Sequence, residues 1–376
     1  MIIDSVSENI FKIALYLEKL IPGMVSEVWI DEGLLSHLKN SLPDKNNVSE
    51  LIDQTKTQIN QLFDERRKFY LMEILHCLEF QINNLDKKLP YETISEETFG
   101  FKINRVGESD IHALENKIRE LETKIGSTRQ EVYVKNLVKP EEYKSVFEND
   151  IRTVKSKLPQ SILDFPDAGF QFETVTNKPW GAFNTHIAPF KSKLTLNTDI
   201  HFSTYDLFRL ASHEAYGGHH SELSNKDKLL IENGFGEHGL VITLSPQTFV
   251  SEAIAEGIYV LLKVTDESNL EEQLTWYYDR LTFALQNLTT FLFNDDGKSI
   301  EEIRKIISQY KVSDDTVNIV INFSTDPVYG KYAPVYYSAF NFLSGLYKKT
   351  LNKNKLIETL FQKPCTSSLL KNEFDR

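Results

Sequence analysis

Apolar residues recur at helical spacing through most of the first 165 positions. Leu114, Ile118, Leu121 and Ile125 step along the chain by 4, 3 and 4, drawing one apolar stripe down an otherwise charged helix. Too short for a coiled coil, that stripe reads as one face in a helical bundle. The run from Phe63 to Ile82 is longer and more apolar, which predicts a deeper helix. Breaks are expected near Pro43-Asp44, Pro90, Phe99-Gly100 and Pro140. Between Phe165 and Ile200 the pattern turns to alternation. Phe170, Phe172 and Thr174 in one segment, and Lys193, Thr195 and Asn197 in another, predict short strands. Trp180-Gly181-Ala182-Phe183 reads as a turn between them.

Helical spacing returns at Ser203, which can cap a helix together with Asp206. Ser245-Pro246 opens another helix with Pro at its first position. Ser268 and Glu271 have the spacing of a capping box for a helix running to about Phe293. Helices from Ile300 to Tyr310 and after Pro334 complete the chain. The expected fold is mainly α, with a small β-sheet inserted between helical halves. Residues 1–165 form a helical N-terminal region and residues 166–376 a region that carries the chemistry.

Composition narrows the function only by exclusion. With 54 Asp+Glu against 42 Lys+Arg, the chain is a poor match for a nucleic-acid backbone. No stretch reaches the roughly 18 apolar residues that span a bilayer, and the first residues show no basic segment ahead of an apolar one. Neither a nucleic acid nor a membrane is expected as a partner. Cys77 and Cys365 have no metal-ligand spacing, and Cys77 sits in an apolar helical run as a small buried hydrophobe. So few thiols fit a reducing compartment, and the expected location is cytoplasmic. The histidines are unevenly placed: His186, His201, His213, His219, His220 and His238 crowd one short stretch.

Within it lies His213-Glu214-Ala215-Tyr216-Gly217-Gly218-His219-His220. A hydrolytic zinc site asks for two neutral imidazoles, a carboxylate from elsewhere, and a further carboxylate beside the water that the metal acidifies. The familiar solution puts both imidazoles on one helix face at i and i+4. Here the second histidine comes at i+6 (His219) or i+7 (His220). On an unbroken helix His220 would share the face of His213 but lie about 10.5 Å further along. Gly217 and Gly218 offer a way to end or bulge the helix, so that His219 folds back towards His213. Downstream, Glu252 and Glu256 share a helix face at i and i+4. Glu252 is assigned to the metal, and Glu256 to the hydrogen bond that fixes the tautomer of a ligand histidine.

HEAYGGHHSE, followed by SPQTFVSEAIAEG, resembles a family of bacterial zinc-dependent peptidases long known only as a domain of unknown function. Its pattern is HEAxPGHH and then SEGIAE or EGWA. More distantly, EAIAE is similar to the ligand helix of the gluzincin metallopeptidases. The resemblance implies a helical gluzincin-like fold with His213, His219 and Glu252 on zinc and Glu214 as general base. It favours His219 over His220, because Gly218-His219 aligns with the gluzincin motif. Two positions depart from the pattern: Gly217 stands where the family has Pro, and Ala253 where it has Gly. Neither change removes a functional group. Gluzincins also use a Tyr or His to stabilise the oxyanion, which points to the Tyr332, Tyr336, Tyr337 group, with Tyr336 and Tyr337 as the candidates. By the same resemblance the Lys193-Thr195-Asn197 strand could take an extended peptide on its edge.

The remaining histidines have ordinary readings. His220 faces substrate, supports a ligand or replaces one; His186, His201 and His238 read as structural, and Glu222 as a cap or ion-pair partner after the break. The expected function is zinc-dependent hydrolysis of peptides, carboxypeptidase-like or oligopeptidase. The alternatives are a zinc-dependent amidase, and a helical binding or scaffold protein with a vestigial metal site.

Overall fold

Residues 3–178 and 180–375 are described by a computed structural model. The first helix, Ser5–Leu20, is started by Asp4, whose carboxylate accepts the Ser7 N–H, and buries Phe11, Ile13 and Leu17. The apolar run expected to lie deep forms the Glu65–Asn83 helix. Phe63 does not join it, since it precedes the capping Asp64 and is fully exposed. The buried face of that helix also carries Arg67, and a buried cation must be paired. Its guanidinium donates to both oxygens of Glu237, at 2.8 and 2.7 Å, and meets Asp4 at 2.8 Å. This fork ties both N-terminal helices to the Gly236–Gly239 turn.

The Leu114–Ile125 stripe behaves as a bundle face. Ile118 and Leu121 are buried in a cluster with Leu274, Leu281 and Leu285 of the Leu270–Asn294 helix. That helix is capped by Asn269, which accepts the N–H groups of Glu271 and Glu272, and not by Ser268, whose hydroxyl turns to Asp266. The Ile300 helix ends at Ile307, short of Tyr310.

Among the described residues five strands make two sheets: β1 (Val25–Val28), β2 (Phe170–Val175), β3 (Ala182–Ala188), β4 (Lys191–Asn197) and β5 (Leu240–Ile242). β1 pairs antiparallel with β5, so the N-terminal region is not wholly helical. In the larger sheet β4 lies between β2, its parallel partner, and β3, its antiparallel partner. Two expectations change. Ala182 and Phe183 open β3 instead of forming a turn, and β4, with Lys193, Thr195 and Asn197, is covered on both sides. The edge strands are β2 and β3. Gly181 C=O accepts the Asn197 N–H, whereas the His186 N–H is turned outward to Glu27. By the antiparallel alternation, Ala182 and Asn184 also present their backbone groups on the outer edge.

The helix carrying His213 runs from Thr204 to Glu214 behind a Ser203–Asp206 capping box. Ala215 still bonds back to Ala211, and then the chain turns sharply before a new helix, His219–Leu229. The two glycines serve different ends. Gly217 has φ +88°, a conformation that side chains disfavour. At Gly218 a Cβ would lie 1.7 Å from the His213 carbonyl oxygen. The Ser245-capped helix, Pro246–Leu261, brings in Glu252 and Glu256.

One hydrophobic core contains Tyr143 and Phe147 from before position 165 together with Leu194, Ala211, Ile254 and Leu343 from after it. Cys77 lies buried beside this core, and burial pushes its thiol pKa up to about 12. No described helix is long and apolar enough to cross a membrane.

Because the His213 carbonyl occupies the space next to Gly218, Gly218→Ala is expected to lower stability by about 3 kcal/mol or more. Gly217→Ala, with a positive φ but a looser neighbourhood, is expected to cost about 1–2 kcal/mol. Chemical unfolding of both variants checks this order, and an unchanged midpoint for Gly218→Ala contradicts it.

Candidate metal centre

The helix break brings the two imidazoles together edge to face, with ring centres 4.8 Å apart. Glu252 faces both. Its Oε2 is 3.4 Å from His213 Nε2 and its Oε1 is 3.4 Å from His219 Nε2. One ligand atom from each of His213, His219 and Glu252 lies within 4.8 Å of the others. Each residue is then held from behind. His213 Nδ1 lies 3.0 Å from Glu256 Oε1, and Glu256 is itself met by Arg209 at 3.3 Å. His219 Nδ1 pairs with the Ser251 hydroxyl at 3.0 Å, and Ser251 donates to Glu222, which is paired with buried Lys226. Tyr332 donates its hydroxyl to Glu252 Oε1. Orienting partners of this kind set tautomer and angle in metal sites.

The charges do not balance locally. Burial opposes ionisation of Glu252, but His219 and His213 outweigh it and hold its pKa down. Burial likewise works against a charge on His219, yet Glu252, with Glu214 and Glu222 beyond it, pushes the pKa up to about 10. His213 is raised in the same way by Glu214, Glu252 and Glu256. Glu252 Oε2 is buried and has no hydrogen-bond partner. Two imidazoles that can release protons and a carboxylate with an unpartnered buried oxygen are a donor set that fits a divalent cation, zinc above all.

Two cavities meet at this centre, of about 320 Å³ and about 90 Å³. His213, Glu214, Trp180, Ala182 and Tyr336 line both, and His219, Glu252 and Tyr332 line the smaller. Glu214 is buried beside the ligands and is held through its backbone, whose carbonyl accepts the Asn184 side chain.

Several expected site residues lie elsewhere. His220, one residue past His219 on the new helix, points the other way into a sealed pocket: its Nδ1 meets Ser192 Oγ at 2.9 Å and its ring packs on Phe170. It is no alternative ligand. Tyr337 is turned from the cavities, with the Arg280 guanidinium 4.8 Å over its ring. Tyr336 is in the cavity wall, its ring centre 6.4 Å from that of His213. His186 is locked to Asp227 at 2.6 Å, and His238 stacks on Tyr70 in the core. Exposed His201 lines the outer part of the larger cavity. Glu222 is no cap; it supports the Ser251–His219 contact.

Ser251, Arg209, Asn184 and Glu27 were not singled out by sequence. Arg209 had a signal, being a charged residue four positions before His213 on the same helix face, and Ser251 adjoins Glu252. Nothing in the sequence ties Glu27 to this cavity.

No protein-family model and no curated protein matches the sequence. Solved structures do. A protein described as a "putative lipoprotein" from Colwellia psychrerythraea superposes with a TM-score of 0.58 at 14% identity, over 96% of this chain and 68% of the other. One so described from Shewanella oneidensis, of unknown function, gives 0.54 at 12% identity over 98% and 73%. At such identities the chain is similar to them in fold alone.

Proposed function

We propose that the protein is a zinc-dependent peptidase. One observation carries the reading: Glu214, a carboxylate outside the ligand set, lines the smaller cavity together with His213, His219 and Glu252. A zinc ion held by those three residues would acidify a water molecule and polarise a carbonyl. Glu214 takes a proton from the attacking water and returns it to the departing amine, so one carboxylate acts as base and then as acid. Tyr336 stands across the cavity as a hydroxyl donor for the oxygen that gains charge. Glu256, itself braced by Arg209, holds the His213 ring, and Ser251 holds that of His219. The free edge of β3 at Ala182 and Asn184 provides backbone partners for an extended peptide.

Glu214→Gln is expected to retain stoichiometric zinc by elemental analysis and to lose about 10²- to 10⁴-fold in kcat on a peptide library. Full activity in that variant would sink the mechanism. Zinc absent even after loading would favour a scaffold role, and cleavage of simple amides in preference to peptides would favour an amidase. Tyr336→Phe is expected to lower kcat by about 10²-fold with KM little changed, whereas Tyr337→Phe leaves both unchanged.

Zinc must displace protons from imidazoles whose pKa values are raised, that of His219 to about 10. A raised pKa means the proton is held until that pH. Zinc affinity therefore increases as pH rises from about 6.5 towards 10, by about tenfold per pH unit for each proton displaced. Competition titrations at several pH values measure this slope; a pH-independent Kd would contradict it.

A further inference from the structure

Glu27, on β1, forms part of the wall of the smaller cavity. β1 brings this residue across to β3, where Glu27 Oε2 accepts the outward His186 N–H at 2.7 Å. Ala182 and Asn184 offer the same edge to the cavity, so the open part of β3 stops where Glu27 begins. An extended chain added along β3 cannot continue past His186, because the backbone donor it would need is already taken. A strand paired on that edge therefore stops its pairing against the Glu27 carboxylate.

The charges say which end of a peptide this place suits. Among the described residues the wall of this cavity contains Glu27, Glu214 and Glu252 but no Lys or Arg. A peptide carboxylate would find no cationic partner. Of the arginines of the larger cavity, Arg209 is paired with Glu256 at 3.3 Å and Asp279 at 2.9 Å, and Arg129 lies 3.9 Å from Asp206 and over the Tyr133 and Tyr278 rings. Glu27 has the opposite need. Burial, with Glu214 and Glu222 adding to it, pushes its pKa up to about 7 in spite of the His186 N–H and of His219. A carboxylate enclosed without a Lys or Arg beside it is complementary to an ammonium group.

Resting on the peptidase reading, we propose that Glu27 anchors the free amino group of the substrate, so that the site removes residues from peptide N-termini. The smaller cavity then holds the first residue and the larger one the remainder of the chain. Hydrolysis breaks the bond between them: the water oxygen goes to the carbonyl carbon and a proton to the amine that leaves through the larger cavity. The small volume beside Glu27, about 90 Å³, limits the first side chain to a modest size.

The test uses the zinc-loaded Glu214→Gln protein, which binds without turnover, titrated calorimetrically with leucine amide and with N-acetyl-leucine amide. The free amine is expected to bind at least about tenfold more tightly, and adding Glu27→Gln is expected to abolish that preference. Zinc content and thermal midpoint are measured on every variant, and the wild-type preference needs no variant at Glu27. Equal binding of the two amides, or a preference that survives Glu27→Gln, overturns the proposal. Wild-type protein is also assayed on one peptide with its N-terminus free and acetylated. Equal cleavage of both keeps the peptidase and removes the anchor; cleavage of neither removes the peptidase, and the titration still decides whether Glu27 holds an amine.

Discussion

Three buried carboxylates, Glu214, Glu252 and Glu256, stand around two imidazoles, and this concentration of negative charge is the constraint on which the surrounding structure depends. Each ionised group taken out of water costs several kcal/mol unless it is matched. Arg209 matches Glu256 from the outside, leaving Glu214 and Glu252 to be answered from within the cavity. Protons on His213 and His219 are one answer, and a divalent cation between them is another. The helix break, the Tyr332 hydroxyl and the Ser251–Glu222–Lys226 chain all serve to keep these groups facing one point.

A second set of buried polar residues shows that residue type does not make a site. Ser192 Oγ is 3.4 Å from His186 Nδ1, and His186 Nε2 is 2.6 Å from Asp227, the residue types of a serine-hydrolase triad with the two ring nitrogens exchanged. Yet Ser192, His186 and Asp227 are all sealed from solvent. Asp227 also accepts the Trp29 indole N–H and the Phe190 backbone N–H. The cluster fastens the His219 helix to β3 and β4 and to the chain after β1, setting the platform on which His219 is presented. A substrate has no way in.

Local order and the candidate ligands were legible because both are written over short separations. The Ser203 and Ser245 caps, the apolar stripe, the glycine pair and the Glu252–Glu256 spacing all act within one or two helical turns. What depends on distant partners was not. β3 looked like a turn because Gly181 sits at its entry and only pairing with β4 reveals the strand. Tyr336 and Tyr337 differ by one position on a helix, about 100° of rotation, and only the packed bundle decides which meets the cavity. His220 parts from His219 because the new helix begins at His219 and turns the next residue to another face. Glu27 reaches the centre through a two-stranded pairing of β1 with β5, across more than 200 residues of chain, and no local pattern encodes that.

The glycine pair at the break has an entropic side. Two adjacent residues without Cβ atoms sample more backbone conformations in the unfolded chain than any others, so ordering them costs more. The order of that turn is therefore bound to its occupancy, since whatever bridges His213 and His219 also closes the turn between them. A cation held by His213 and His219 would offset part of that cost, because it would favour the ordered turn over the unfolded chain.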